Sequence, residues 1–267
     1  MKIALTGSSG IVSGFIARAA IAAGHEIDAL TGWRLGSPAG LDGCDALVHA
    51  AFSHVPGRYR GGEGDDAAAF VAANLDGSVR LFDDAARAGV AQILFLSSRA
   101  VFDALPPGTP LPDGTPPAPA SLYGRVKAQA EAALAALDTP ALATASLRPT
   151  GIYGPGAANK WAGLIADFLD GHPIEPRVAT ELHGDDLAQA VLLILQTRAR
   201  GAFNASDIVL DRHDLLAGVA RLSKTPNPPP ARADAAALSV MTCDRLDGLG
   251  WQRGGFSRLW RELPAMI

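Results

Sequence analysis

Thr6-Gly7-Ser8-Ser9-Gly10-Ile11-Val12-Ser13-Gly14 follows a short apolar run at residues 2–6 and leads into a helical pattern over 12–23 that stops at Gly24. A glycine-rich turn between a strand and a helix has a specific physical use. Its glycines let backbone approach a pyrophosphate, and the helix N-terminus offers unpaired N–H groups and the positive end of its dipole. An ordinary strand–helix turn is the competing reading of the loop taken alone. Ser13 stands where a third glycine is usual, with Gly14 one place later. Serine is small enough to keep the helix close to the strand.

Working outward, strand-like runs at 25–30, 46–50, 92–96 and 143–148 alternate with helical windows at 67–88 and 122–137. This order predicts an α/β fold, a doubly wound parallel sheet covered by helices on both faces. After Gly154 the pattern loosens, with helices expected at 160–170, 185–197 and 214–222, a turn at 246–251 and a terminal helix at 256–263. The expected division is a nucleotide-binding core over 1–154 and a small lobe over 155–267. That lobe is interleaved with the last core elements and has no independent boundary. Pro-rich stretches at 103–120 and 226–230 read as loops.

Composition agrees. Of 267 residues, 48% are hydrophobic and only 19% charged, as buried parallel strands require. A net charge of −4 gives no electrostatic reason to bind nucleic acid or anionic lipid. Cys44 and Cys243 lie far apart and read as small buried residues. No His/Cys/carboxylate cluster has metal-ligand spacing. The opening apolar run is too short for a secretory segment, and no stretch is long enough to span a bilayer. The chain therefore reads as soluble and cytoplasmic.

Tyr123-Gly124-Arg125-Val126-Lys127 begins the helix after the first Pro-rich loop. Positions i and i+4 share a helical face. A phenol, with a pKa of about 10, exchanges protons poorly near neutrality unless a neighbouring ammonium stabilises its phenolate. With three tyrosines and four lysines in the chain, chance supplies about 0.04 such pairs. Ser97 and Ser98 end an apolar strand, where ligands sit in open parallel sheets. Ser98 is suited to bond a substrate oxygen, or to cap a turn; Ser97 reads as supporting the sheet edge. The second strand ends Leu30-Thr31-Gly32-Trp33-Arg34 without the acid that usually holds adenosine ribose hydroxyls. Arg34 is either a partner for a 2′-phosphate, which favours NADP over NAD, or a solvated arginine.

Together these residues resemble the extended short-chain dehydrogenase/reductase family, also called the NAD(P)-dependent epimerase/dehydratase family. His49-Ala50-Ala51, Asn74-Leu75-Asp76-Gly77-Ser78, the run Leu147-Arg148-Pro149-Thr150-Gly151-Ile152-Tyr153-Gly154-Pro155-Gly156 and His183-Gly184-Asp185-Asp186-Leu187-Ala188 are similar to its motifs in order. So are Phe203-Asn204-Ala205-Ser206 and Leu246-Asp247-Gly248-Leu249-Gly250-Trp251. The resemblance covers essentially the whole chain. It implies a Rossmann-type sheet with a small C-terminal substrate-binding lobe, hydride transfer at a nicotinamide, and a homodimer through the helices near 78–88 and 123–137. It implies Tyr123 as acid/base, Lys127 as ribose holder and tuner of Tyr123, and Ser98 as the group polarising a carbonyl. Gly7, Ser9, Gly10 and Ile11 would cradle the pyrophosphate of NADP or NAD. Ala50, Ala51, Asn74, Ser97 and Pro149 would line the rest of the cofactor path. His49 and His183 read as core or hinge histidines.

Departures narrow the function. The family's dehydratases carry an Asp-Glu pair where this chain has Arg99-Ala100, which argues against dehydration. Arg99 either faces a substrate anion or is salt-bridged in solvent; Phe52 and Asn159 are further candidates at the substrate. The arginine that precedes the family's RDxxHVDD acid and helps bind a nucleotide-sugar diphosphate has no counterpart before Thr180-Glu181-Leu182-His183, where Arg177 is the available substitute. The third strand is missing or vestigial, since the chain between the second strand and Ala46 is compressed. The expectation is a small carbonyl, hydroxy or sugar-like substrate, with the Gly/Arg-rich insert 53–66 as part of its rim or disordered. A cofactor-retaining sugar epimerase and a non-catalytic NADP sensor or scaffold are the competing functions.

Overall fold

The computed structural model describes residues 1–55 and 64–267; residues 56–63 of the insert lie outside the described residues. The first strand, β1 (Lys2–Leu5), runs through the glycine turn into α1 (Ile11–Ala22) and returns as β2 (Glu26–Ala29). Then follow β3 (Ala46–His49), α2 (Ala67–Val71), α3 (Gly77–Arg87), β4 (Gln92–Leu96), α4 (Leu122–Ala135) and β5 (Ala143–Pro149). The chain goes on through β6 (Gly151–Tyr153), α5 (Ala162–Leu169), β7 (Val178–His183), α6 (Gly184–Thr197), β8 (Gly201–Ala205) and β9 (Ile208–Asp211). It ends in α7 (Arg212–Ser223), α8 (Asp244–Gly248) and α9 (Gly255–Glu262).

Six parallel strands form the main sheet in the order β2-β1-β3-β4-β5-β8. Alternate residues explain why helices cover both faces. Ile3, Leu5, Ala46, Val48, Leu94 and Leu96 pack with α1 and α6, while Ala4, Leu47, Ile93 and Phe95 point the other way against α3 and α4. A strand apolar on both faces has no solvent side to offer, which is the signature of a buried parallel sheet. The sheet is doubly wound, as expected. Among the described residues no strand lies between β2 and β3, so β2 is the edge.

Three expectations change. Residues 67–88 do not form one continuous helix: a π-helical turn, Ala72–Asp76, separates α2 from α3. The wider turn coincides with Asn74, whose side chain bonds the Phe70 carbonyl at 3.0 Å and Ser53. Residues 244–248 are a helical turn, α8, closed when the Trp251 N–H donates to the Leu246 carbonyl. Beyond Gly154 the chain also contains β7, β8 and β9, which the loose sequence pattern conceals. β8 completes the main sheet beside β5, while β6, β7 and β9 form a separate three-stranded sheet with α5 and α7 against it. That second sheet departs directly from the end of β5, so it stands at the C-terminal edge of the main one.

Arg148 on β5 and Glu131 on α4 form a two-pronged ion pair, with nitrogen–oxygen distances of 2.7–3.1 Å and both side chains buried. Removing one partner leaves the other charge buried alone, which typically costs about 3–5 kcal/mol. Arg148→Met should therefore lose about that much unfolding free energy in a urea titration, whereas a change below about 1 kcal/mol would show the pair to be dispensable.

Candidate active site

The turn after β1 is held by hydrogen bonds that fix both its shape and its neighbour. Gly7 has φ of +68°, and a Cβ there would stand 2.9 Å from the Ala51 backbone. Only glycine meets both demands. The contact brings the turn against Ala50-Ala51-Phe52-Ser53, which follows β3. The buried Thr6 hydroxyl oxygen accepts from the N–H groups of Ala50 (3.0 Å) and Ala51 (3.1 Å). Its single proton then goes to His49 Nδ1, 2.7 Å away. Nδ1 is thus an acceptor, and His49 Nε2–H donates to Ser78 Oγ at 2.9 Å. Ser78 in turn donates to the Asn74 carbonyl at 2.5 Å. Burial, reinforced by the Lys127 charge, lowers the His49 pKa to about 3. The imidazole is therefore neutral, a structural relay between β1, β3 and α3, as a core histidine should be.

Asn74 completes this frame. Its amide oxygen accepts from Ser53 N–H at 2.7 Å and its amide nitrogen donates to the Ser53 carbonyl at 2.9 Å. With the side chain so engaged, Asn74 acts on the cleft through the 50–53 loop. Ser9, Gly10 and Ile11 are exposed at the start of α1, with their amides at the helix N-terminus.

Across the cleft, β4 ends at Leu96 and continues as Ser97-Ser98. Ser97 is buried, and its hydroxyl has no partner among the described residues. Ser98 Oγ accepts from the Ala100 N–H at 3.1 Å, capping the turn Arg99–Phe102. Its alternative role as a cap is thus realised, and its own proton remains available to donate. The start of α4 abuts that turn, because Gly124 has no Cβ to strike the Ala100 carbonyl. Ser121 caps α4 by accepting from Gly124 N–H at 3.0 Å and donates to Asp103 at 2.6 Å. This anchors the helix that carries Tyr123 and Lys127 beside Ser98.

Lys127 is buried, and its ammonium donates to the Leu96 carbonyl at 2.6 Å. It lies 4.4 Å from the centre of the Phe52 ring, 4.6 Å from Phe95 and 6.0 Å from Tyr123. Burial pushes its pKa down to about 7, against the smaller upward pull of Glu131 one turn away. Phe52 packs edge-on to Tyr123 at 5.0 Å and to Phe70 at 5.5 Å, shielding the phenol from one side.

The remaining candidates fall into different places. Pro149 is half-buried at the end of β5, beside Thr150, whose buried hydroxyl is also unpartnered among the described residues. Arg34 is exposed on the turn after β2, a turn shaped by Trp33 Nε1–H donating to Ser37 O at 3.0 Å. Arg99 donates to the Ser239 carbonyl at 2.7 Å. Both ends of the Asn159 amide are used, one on Met266 O at 2.6 Å and one on Trp161 N–H at 3.1 Å. The structure thus brings Gly7, Ala50, Ala51, Phe52, Tyr123 and Lys127 into one neighbourhood, with Ser98 beside the start of α4. Thr6, Ser78 and Thr150 were not foreseen as site residues. The hydroxyl of Thr6 was visible in the quoted stretch, but its partners are 43 to 45 residues away.

The family profile described as "NAD dependent epimerase/dehydratase family" matches residues 3–206. The chain belongs to this family. Among solved structures it is similar to the UDP-glucose 4-epimerase of Thermotoga maritima with UDP-glucose, at 20% identity and TM-score 0.78, over 100% of this chain and 97% of that one. It is similar to MoeE5 in complex with UDP-glucose and NAD, at 20% identity and TM-score 0.81, over 100% and 98%. It is also similar to RMD from Pseudomonas aeruginosa complexed with NADPH, at 20% identity and TM-score 0.80, over 99% and 97%. At such identities the likeness is one of fold. No curated protein matches significantly. Among the described residues no helix is long and apolar enough to cross a membrane.

The residues fit a nicotinamide dinucleotide. The glycine turn presents the N-terminus of α1, where the Gly10 N–H donates to the Gly7 carbonyl at 2.8 Å, and across the cleft the Ser97 hydroxyl, unpartnered among the described residues, and the Lys127 ammonium lie at the end of β4. Lys127 also generates a pH signature. Unfolded, a lysine binds its proton up to about pH 10.4; folded, Lys127 releases it near 7. Between these values the unfolded chain binds more protons, so stability rises with pH, and below about 7 the full cost of burying the charge is felt. Relative to Lys127→Met, the cofactor-free protein should gain unfolding free energy from pH 7 to 9.5. Parallel stability–pH curves would show that the Lys127 pKa is ordinary.

Proposed function

We propose that the chain is an NADP-linked oxidoreductase that interconverts a small carbonyl compound and its alcohol. The observation that carries this reading is the burial of Lys127 on the Leu96 carbonyl, 6.0 Å from the centre of the Tyr123 ring, at the end of the strand that continues into Ser98. A lysine is an expensive residue to bury, and a merely structural Tyr–Lys pair would have no need of it. Bound nicotinamide would supply the hydride-transfer chemistry. Tyr123 Oη gives the proton to the carbonyl oxygen in reduction and takes it back in oxidation. Ser98 Oγ–H donates to the same oxygen and orients it. Lys127, charged, favours the phenolate and so brings the phenol towards neutrality as an acid. Phe52 keeps water from one side of the reacting proton.

NADP is preferred over NAD in this reading because of Arg34. The turn after β2 presents this exposed guanidinium, and no carboxylate among the described residues pairs with it. Arg80 holds the same turn by donating to the Gly36 carbonyl at 3.1 Å. The compressed segment after β2 supports a compact substrate.

Tyr123→Phe should lower kcat at least ~100-fold, the usual worth of a positioned acid/base, with NADPH affinity unchanged; near-normal turnover would remove the proton-transfer role. Arg34→Ala should weaken NADPH binding by ~10-fold or more while leaving NADH within about twofold, a charged hydrogen bond being worth roughly 1.5–3 kcal/mol. Equal losses for both nucleotides would refute the phosphate pairing. Protein that purifies with one tightly held nucleotide and shows no net NADPH consumption would instead be an epimerase.

A further inference from the structure

An ammonium has three donors, and among the described residues Lys127 spends one, on the Leu96 carbonyl at 2.6 Å. The side chain is shut away from water, with the residue only 4% exposed. The nearest carboxylate gives limited help. Glu131 lies one turn along α4, but both of its oxygens accept from Arg148 at 2.7–3.1 Å, so its charge is already matched. His49, the titratable group facing Lys127 from β3, is neutral. β4, Gln-Ile-Leu-Phe-Leu over 92–96, brings no ionisable side chain, and Tyr123 is a phenol. What remains beside the ammonium is aromatic. Nζ stands over the Phe52 ring at 4.4 Å and over the Phe95 ring at 4.6 Å. A ring face carries the negative part of the quadrupole, and a cation above it gains most where water is excluded.

The two rings differ in standing. Phe95 belongs to the core, stacked on His49 at 5.5 Å and edge-on to Phe82 at 5.6 Å. Phe52 is half-buried on the loop after β3, and the backbone is pinned on either side of it. Ala51 N–H donates to Thr6 Oγ1 at 3.1 Å, and Ser53 is held through its N–H and its carbonyl by the Asn74 amide. The ring is braced edge-on by Phe70 and Tyr123, at 5.5 and 5.0 Å, and His54 stacks on it at 6.5 Å. A side chain placed only to exclude water needs apolar volume, which leucine or methionine also supplies. Phe52 instead presents a face to a cation, and that demand is met by an aromatic ring alone.

We infer that Phe52 is a positioning residue for the acid/base pair: its ring face keeps Lys127 in the ammonium form beside Tyr123, in a site otherwise too dry to hold the charge. Burial brings the Lys127 pKa down to about 7, so the ammonium is close to losing its proton and a modest attraction decides how far into alkaline pH it persists. A neutral Lys127 no longer favours the phenolate, and the Tyr123 proton becomes harder to give up. The inference rests on the oxidoreductase reading for its consequence in turnover, but the Lys127 titration can be followed without substrate or cofactor.

The test is an NMR titration of the cofactor-free full chain with isotope-labelled lysines, of which there are four, Lys127→Met identifying the signal of interest. In Phe52→Leu the Lys127 midpoint should fall by about one pH unit, the size of a desolvated cation–π contact. Phe52→Tyr restores the ring face and should return the midpoint to within about 0.3 unit of the wild type. Phe52→Met, equally free of a ring, repeats the measurement if the leucine variant does not fold. In turnover, the alkaline loss of kcat should begin about one pH unit lower in Phe52→Leu and at the wild-type pH in Phe52→Tyr. A ring-dependent midpoint in a protein that turns over no carbonyl compound would uphold the contact and defeat the oxidoreductase reading. A folded Phe52→Leu or Phe52→Met protein whose Lys127 titrates as in the wild type, or a Phe52→Tyr protein shifted as far as the leucine variant, would overturn the inference.

Discussion

The structure depends on one hydroxyl. Thr6 Oγ1 receives two backbone N–H groups from beyond the end of β3 and gives its proton to His49 on β3. Adjacent parallel strands would otherwise splay where their ladder ends, because the amides there have no strand partner. With all its bonds satisfied, Thr6 lets two chain segments leave the sheet side by side. A buried network of this kind is stabilising only when every member is paired, and here the relay through His49 and Ser78 to the Asn74 carbonyl is complete. The Gly7 contact with Ala51, the placement of Phe52 and hence the shielding of Tyr123 all follow from it.

A second constraint is the burial of Lys127. A desolvated ammonium needs compensation, and it receives the Leu96 carbonyl, three aromatic faces and the nearby charge of Glu131. Glu131 is itself committed to Arg148 on β5. The start of α4, which carries Tyr123 and Lys127, is therefore tied electrostatically to the middle of the sheet. The lobe hangs from the same strand, since β6 begins just beyond Pro149.

Much of this was legible in the sequence because it rests on local or periodic features. Alternate residues of β1, β3 and β4 are apolar on both faces, and that pattern alone implies a doubly covered parallel sheet. The Tyr123–Lys127 spacing and the glycine turn work within a few residues. What escaped has long-range causes. β7 reads as polar at Thr180-Glu181-Leu182-His183, yet it is buried because Glu181 finds Lys160 and His183 caps α6 by accepting from the Asp185 N–H. The π-helical turn at Asn74 answers to Ser53, a residue 21 positions earlier. Arg99 and Asn159 are chemically suited to a substrate, but their partners Ser239 and Met266 lie 140 and 107 residues away, beyond any spacing rule.

The central claim is that the cleft with the glycine turn and the Ala50–Ser53 loop on one side, and the ends of β4 and α4 on the other, holds the nicotinamide dinucleotide. Gly7→Ala tests it most directly, because the added methyl meets the Ala51 backbone in the wall of that cleft. With folding checked by circular dichroism and thermal unfolding, titration calorimetry should show NADPH affinity reduced by ~100-fold or more, since the methyl both strains a left-handed backbone, at roughly 1–2 kcal/mol, and pushes the two loops apart. A folded Gly7→Ala protein that binds NADPH as tightly as the wild type would contradict the account.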